Sequence, residues 1–340
     1  MVRKNPKRKL KNSARAKLEK MGYALVGPTS AVEICRWTKN SLRGDKGCWK
    51  EDFYGISSAG CCQMTPSVLW CENKCVHCWR PIELSEGDRL PEVQDPKEIL
   101  DGIVEARKKM LMGFKGREGI DKKKFEESLE PKLYTMSLSG EPTIYPRLGE
   151  MFKEIRKRKA VSFLVTNGLN SKAIKKLEKT GLPTQITVST NAPNKELFDL
   201  WHRSCKKNAW EEFNKTLTII KSLKGKVRRV IRLTLVRKSE NSAGEYLDLT
   251  NMADSHVGEY ASLIRKAEPD FVHVKGFMSV GYARNRLGYD KQPWFADVKE
   301  FARKLEKGLK AENYKIAAES ERSCVVMLAK KGAKLKITRV

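Results

Sequence analysis

Three cysteines within eight residues, Cys71, Cys75 and Cys78 in the segment WCENKCVHCWRP, have the type and spacing for metal chemistry. A C-x3-C-x2-C loop can wrap three thiolates around a 4Fe-4S cube and leave the fourth iron without a protein ligand. An iron left open is a chemical site: it can chelate an amino acid through its amino and carboxylate groups and pass it an electron. Structural zinc uses paired cysteines and four closed positions, so a knuckle completed by His77 fits this spacing less well. Trp79, directly after the last cysteine, suits either shielding of a cluster or ordinary core packing.

Upstream, Cys35, Cys48 and Cys61 follow one another at C-x12-C-x12-C intervals. Three more thiolates suggest a second three-ligand cluster, against the plainer reading of three buried thiols. Cys205 and Cys324 have no motif around them and are expected in the core. The N-terminus, MVRKNPKRKLKN, lacks the apolar stretch of a secretory signal, and no segment has the apolar length to cross a bilayer. The expected location is the cytosol, where a reducing medium disfavours disulfides and favours metal ligation or catalysis as the use of nine cysteines.

The elements that must position these residues alternate. Gln63–Trp70 reads as a strand running into the cysteine loop, and Asp95 then caps a helix through PKEILDGIVEARKKMLM with Pro96 at its first position. Ile99, Ile103, Ala106 and Met110 fall on one face of it. Strands follow in LYTMSLS, VSFLVTN, TQITVST, RRVIRLTLV and DFVHVKG, separated by helical stretches such as LGEMFKEIRKRK, SKAIKKLEKT and AWEEFNKTLTIIKSLK. This predicts an α/β fold with right-handed parallel crossovers in a curved or barrel-like sheet, whose chemistry gathers at the C-terminal strand ends. The last part, with a helix in FADVKEFARKLEKGL and strands in NYKIAAES and SCVVMLAKK, reads as an α+β cap.

Composition points to a polyanionic partner. The 340 residues hold 68 Lys and Arg against 41 Asp and Glu, a formal net charge of +27, with a pI near 9.7 and a mean hydropathy of −0.54. Such an excess supplies phosphate affinity without sequence specificity. The first twenty residues carry nine basic side chains and one acid, and KKGAKLKITRV at the end carries five and none, so both ends read as backbone-gripping arms. The N-terminal segment has few large apolar residues to insert into a membrane, which favours RNA.

With these residues in view, the chain resembles the radical S-adenosylmethionine superfamily, whose motif is this cysteine spacing at the end of the first strand of a partial or complete (βα)6 barrel. The resemblance implies S-adenosyl-L-methionine on the open iron, split reductively to a 5′-deoxyadenosyl radical. In SLSGEPTIYP, Ser139, Gly140 and Glu141 match the segment that receives the cofactor's amino group, where glycine permits close backbone approach. Thr166 and Asn167 before Gly168, and Ser189 in TVSTN, match polar strand ends around the cofactor. Taken singly these are turn or cap residues.

Within the superfamily, YGISSAGCCQMTPSVLWCENKCVHCWRP resembles the tRNA 4-demethylwyosine synthase family, whose archaeal form carries a second 4Fe-4S cluster on three N-terminal cysteines. Aligning back from MTPS places the third ligand at Cys61 and leaves Cys62 a non-ligand. The resemblance implies condensation of pyruvate carbons with N1-methylguanosine beside the anticodon of phenylalanine tRNA. It also implies that Lys50, two residues after Cys48, forms a Schiff base with pyruvate, a role that suits an amine of lowered pKa; an open iron of the second cluster is the other holder. No flavodoxin-like segment precedes the cysteines, so an external ferredoxin or flavodoxin is expected to supply electrons.

The expected organisation is a basic extension with the second-cluster cysteines over residues 1–62, a radical core over 63–276 and a wyosine-forming-like C-terminal region over 277–340. A target base must leave its stack to meet a radical, so basic and aromatic residues are expected around the mouth of the sheet. The candidates are Trp201, His202, Arg203, Lys275, Tyr282, Arg284 and Arg286. Two other classes share parts of the pattern: a radical methyltransferase or methylthiotransferase acting on RNA, and a nonenzymatic metal-containing RNA-binding protein, which leaves SGEPT unexplained.

Overall fold

The computed structural model describes residues 12–239 and 249–338. In chain order the strands are β1 (Tyr23–Val26), β2 (Ser30–Glu33), β3 (Cys61–Thr65), β4 (Leu133–Met136), β5 (Val161–Thr166), β6 (Gln185–Ser189), β7 (Arg228–Leu235), β8 (Phe271–Gly276), β9 (Tyr314–Ser320) and β10 (Val325–Lys330). They form one sheet in the order β1-β2-β3-β4-β5-β6-β7-β8-β10-β9. The six strands from β3 to β8 are parallel and pair in sequence order, as the alternation predicts.

Helices α1 (Asn12–Lys20), α2 (Arg36–Leu42) and α3 (Trp49–Tyr54) precede the parallel strands. The crossovers carry α4 (Pro96–Met112), α5 (Lys122–Leu129), α6 (Leu148–Lys157), α7 (Ser171–Thr180), α8 (Lys195–His202), α9 (Ala209–Ser222) and α10 (Asp254–Ala267); α11 (Tyr282–Leu287) and α12 (Phe295–Gly308) follow β8. Asp95 caps α4 as expected, its carboxylate accepting from the Lys97 and Glu98 amides. Ile99 and Ile103 are buried against Cys62, Met64 and Tyr134 on the outer face of the sheet, each contributing about 1.5–3 kcal/mol by leaving water.

Three expectations change. The first parallel strand stops at Thr65, because Pro66 has no N–H to continue a ladder and the chain turns onto the segment after β4. There Thr65 Oγ1 donates to the Ser139 carbonyl at 2.5 Å and Ser67 Oγ to that of Glu141 at 2.9 Å. The C-terminal region is not a separate cap: β10 pairs antiparallel with β8 from Val325↔Lys275 to Ala329↔Phe271, and β9 adds outside it. The open edge of β8 supplies unpaired backbone groups that the buried VVML run satisfies. The extension likewise joins the sheet, since β2 pairs with β3 and β3 runs across position 62.

The sheet curls around α3. Inward side chains Cys61, Leu133, Phe163, Val230, Phe271 and Met327 meet Phe53 and Tyr54 in one cluster. The segment bearing Cys48 and Lys50 is thereby brought to the concave face.

Candidate active site

The Cys71–Cys78 loop leaves β3 and is laid across the ends of the neighbouring strands. The Glu141 amide donates to the Trp70 carbonyl at 2.7 Å. Gly140 has φ +67°, and a Cβ there would meet the Ser67 carbonyl oxygen at 1.6 Å. The glycine is therefore required by close approach of the chain to itself. From the far side, the Lys74 and Val76 amides donate to the His202 and Trp201 carbonyls at 2.9 and 3.0 Å.

Burial, and then the neighbouring Cys75, push the Cys71 thiol well above its ordinary range, and burial and Cys78 do the same to Cys75. Metal ligation is what deprotonates thiols held so far above their ordinary range. Both ends of the buried Asn73 amide in this loop lack a partner, while its backbone N–H donates to Cys71 Sγ at 3.4 Å. The loop thus fits an iron-sulfur cluster, whose sulfides accept such donors. Among the described residues no group of three His, Cys, Asp or Glu side chains is arranged to hold a single ion; in a cube each thiolate binds a different iron. His77 is not a zinc ligand. Its Nδ1 accepts from the Trp201 indole at 2.5 Å and its Nε2 lies 3.2 Å from the Asn191 amide. Indole is donor-only, so Nδ1 is the acceptor and Nε2 carries the proton, directed at the Asn191 side-chain amide.

Glu141 organises the strand ends rather than presenting its carboxylate. Its oxygens accept from the Thr143 amide and hydroxyl, the Thr166 hydroxyl and the Asn167 amide at 2.7–3.1 Å. Burial and the nearby Glu72 push its pKa up to about 7 against the pull of these bonds. Glu72 is paired with Lys206 at 3.0 Å, and the Asn167 side-chain amide reaches Glu72 at 3.2 Å and Cys71 Sγ at 3.9 Å. Ser139, Gly140, Glu141, Thr166 and Asn167 are therefore brought together beside Cys71. Ser189 lies across the sheet, its hydroxyl accepting from Arg232 Nη2 at 2.8 Å.

Cys35, Cys48 and Cys61 converge on Lys50. Its Nζ lies 3.7 Å from Cys61 Sγ and 3.4 Å from Thr135 Oγ1 on β4. Cys35 and Cys48 immediately precede α2 and α3, and one hydroxyl residue ties the two: Ser58 Oγ accepts from the Cys48 amide at 2.7 Å, while its carbonyl accepts from Thr38, whose hydroxyl lies 3.4 Å from Cys35 Sγ. Strand alternation separates the adjacent pair: Cys61 faces inward to Lys50, whereas Cys62 packs outward against the α4 side. Burial pulls the Lys50 ammonium down, but Cys61, Cys48 and Cys35 as thiolates outweigh it and the net direction is up. This reverses the expected lowering.

The expected RNA contacts fare differently. Trp201 is fully buried and His202 nearly so, the latter held down to about 4 by burial, so neither is a surface stacking group. Arg286 is spent on the cluster loop: it donates to the carbonyls of Val76 at 3.0 Å, Cys78, and Arg80 at 3.3 Å, and to Glu83 at 2.8 Å. Arg284 donates to the Ser279 carbonyl at 3.0 Å. Lys275 faces inward, where burial lowers its pKa. Arg203 is exposed at the left-handed end of α8, and Tyr282 is anchored through its amide to the Trp79 carbonyl.

Cys205 is exposed rather than in the core, and Cys324 is half-buried against it. The C-terminal basic segment packs back on the chain, with Lys336 Nζ donating to the Asp52 carbonyl at 2.7 Å and the Ile337 amide to that of Tyr54 at 3.0 Å. The first eleven residues, with most of the N-terminal arm, lie outside the described residues. Sequence reasoning missed Asn73, Thr135 and Arg232. Arg232 had a signal, a charge at an inward position of the apolar run VIRLTL.

Residues 65–250 match the radical SAM superfamily, and residues 266–330 match the family of wyosine base formation. An S-adenosyl-L-methionine-dependent tRNA 4-demethylwyosine synthase from Pyrococcus abyssi is 40% identical over 91% of this chain and 86% of its own. The enzyme of that description from Methanocaldococcus jannaschii is 34% identical over 94% and 96%. A solved structure of TYW1 with a lysine-pyruvate adduct bound superposes with a TM-score of 0.81 at 31% identity, covering 96% of this chain and 98% of that one. A crystal structure of archaeal TYW1 gives 0.75 at 29%, covering 96% and 99%. Among the described residues no helix is long and apolar enough to cross a membrane. With the Cys71 loop on the strand ends and these relatives spanning the chain, the protein belongs to the S-adenosyl-L-methionine-dependent tRNA 4-demethylwyosine synthase family of radical SAM enzymes.

Proposed function

We propose that this chain converts N1-methylguanosine beside the anticodon of phenylalanine tRNA to tricyclic 4-demethylwyosine, using two carbons of pyruvate. The convergence of Cys35, Cys48 and Cys61 on Lys50 at the concave face carries this reading, because the other radical RNA-modifying classes considered have no use for a buried amine there. Bound at Cys71, Cys75 and Cys78, a 4Fe-4S cluster supplies the electron that converts S-adenosyl-L-methionine to methionine and a 5′-deoxyadenosyl radical. Ser139, Gly140, Glu141, Thr166, Asn167 and Ser189 border that cofactor; Glu141 holds the β4 and β5 ends together so that backbone groups face it.

Lys50 holds pyruvate as a Schiff base, with a second 4Fe-4S cluster on Cys35, Cys48 and Cys61 beside it. The positive core of a cluster held there would offset part of the thiolate charge that raises the Lys50 pKa, and burial pulls toward the neutral amine a Schiff base needs. The radical removes hydrogen from the N1-methyl group, and the new carbon radical adds to the imine carbon of pyruvate. The bond to the carboxylate carbon then breaks, C1 leaving as CO2 with its odd electron passed to an external acceptor. The guanine amine displaces the Lys50 amine as the ring closes. Arg203 and Arg284 stand at the RNA side. Residues 1–62, 63–276 and 277–340 divide these tasks while sharing one curved sheet, the partial (βα)6 barrel of the superfamily. An external ferredoxin or flavodoxin reduces the clusters, in the cytoplasm.

Anaerobically reconstituted protein, pyruvate, reductant, S-adenosyl-L-methionine and N1-methylguanosine-containing tRNA should yield a tricyclic nucleoside by mass analysis. Cofactor cleavage with no new nucleoside would transfer the chain to another radical RNA-modifying class, and a protein holding only zinc would remove the radical chemistry.

A further inference from the structure

Among the described residues, two cations on the concave face make no ion pair with an Asp or Glu. Arg232 on β7 stands in register with Ser189 on β6 and His273 on β8. One of its terminal nitrogens donates to Ser189 Oγ at 2.8 Å, while its Nε is buried without a partner. The charge bearing on it is Arg80, another cation. Lys275, two residues along β8, is acted on by Cys48, Arg232, Cys324 and Lys50, and no Asp or Glu figures among them. Burying unpaired cations is costly, and a guanidinium with a free Nε presents the planar fork that matches a carboxylate. Lys275 shares the inward face with His273, the register partner of Arg232, and the His273 ring meets that of Trp49, the neighbour of Lys50, edge-on at 4.8 Å. An anion seated between the two cations therefore lies toward the Lys50 amine.

We propose that Arg232 and Lys275 form a carboxylate-binding subsite that seats a 2-oxo acid with its carbonyl toward Lys50. This rests on the function proposed above and assigns Lys275 to the small substrate rather than to RNA. The pair act as positioning residues: they select a short acid over its neutral analogues and aim its second carbon at the amine. S-adenosyl-L-methionine also carries a carboxylate, so the test separates the two sources.

Pyruvate, methyl pyruvate and S-adenosyl-L-methionine are titrated calorimetrically onto the reconstituted holoenzyme and its Arg232→Gln, Arg232→Lys and Lys275→Met variants, and Lys50 adducts are trapped with borohydride. Arg232→Gln should weaken pyruvate binding about tenfold or more, the loss expected for a charge-assisted hydrogen bond. It should also erase the preference for pyruvate over its methyl ester. Arg232→Lys should recover part of the loss, which a folding defect would not allow, and cofactor affinity should stay within about twofold. Unchanged pyruvate affinity in both Arg232→Gln and Lys275→Met overturns the subsite. So does a loss confined to S-adenosyl-L-methionine, which makes the carboxylate the cofactor's. Pyruvate affinity that falls in Arg232→Gln, with no adduct even in the unsubstituted enzyme, upholds the subsite and rejects the Schiff base alone.

Discussion

Arg286 Nε donates to the Val76 carbonyl at 3.0 Å, although the two residues are 210 positions apart. The same guanidinium also takes the Cys78 and Arg80 carbonyls, so one side chain after β8 closes the loop that follows β3. Arg286→Met should leave the Val76 and Cys78 carbonyls unpaired at about 1–3 kcal/mol for each that stays buried, while the Arg80 carbonyl keeps the Ile82 amide. The expected result is a lower iron and sulfide content after desalting and faster bleaching of the Cys71-loop cluster. Full cluster retention with reduced tRNA affinity would return Arg286 to an RNA role.

The two cysteine trios predict separable metal contents. Replacing Cys71, Cys75 and Cys78 with Ala should leave one cluster and abolish reductive cleavage of S-adenosyl-L-methionine. Replacing Cys35, Cys48 and Cys61 should leave cleavage measurable and stop tricycle formation. Cys62→Ala, on the outer face, should keep both clusters. Loss of one cluster in Cys62→Ala would show that the strand is read in the wrong register.

Lys50 predicts a covalent intermediate. Borohydride should trap a pyruvate-derived mass on it, and Lys50→Arg should abolish product with both clusters intact, since guanidinium is not that nucleophile. Normal turnover in Lys50→Arg would eliminate the Schiff base and leave pyruvate on the open iron of the second cluster.

His202 predicts an acid limit for the helix end that docks on the cluster loop. Its pKa is held down to about 4 in the fold by burial, against about 6.5 unfolded. Above 6.5 neither state binds the proton; as pH falls, the unfolded chain binds it first and stability drops until about 4. The loss approaches about 3 kcal/mol across that window. His202→Gln should flatten the fall, read from apo-protein melting between pH 7 and pH 5. An equal slope in both proteins assigns the acid sensitivity elsewhere, with buried His77 the next group to test.

The N-terminal arm predicts a salt signature. Residues 1–11 carry six basic side chains and no acid. Deleting them should weaken tRNA binding and reduce the slope of log affinity against log salt, by up to about five for a duplex-like backbone. Cluster assembly should survive. An unchanged slope would show that the arm does not grip phosphate.

Local pattern alone placed much of this molecule. The helix read from SKAIKKLEKT is Ser171–Thr180, and the Asp95-Pro96 start of α4 forms as expected, because caps and apolar periodicity act within a few residues. The Cys71 loop was legible for the same reason: ligands within eight residues have to share one loop. The inward trio was legible only through resemblance, since spacing of thirteen positions carries no geometry of its own.

Tertiary structure decided everything that depends on partners far apart in the chain. Trp201 turns out to be the donor that fixes the His77 proton, 124 residues away. Arg286 and Lys275 read as RNA contacts at the mouth of the sheet, but the first is bound to the cluster loop and the second stands on the concave face. Cys61 and Cys62 are chemically equal in the string CC, and only strand pairing sends one to Lys50 and the other to the α4 side. Which edge of β8 is open, and hence where β10 and β9 pair, follows from the register of the whole sheet. The sequence by itself determined the elements and the loop chemistry, because those are set by neighbours along the chain; side-chain direction and company came only with the closed packing of the sheet, which one-dimensional spacing does not encode.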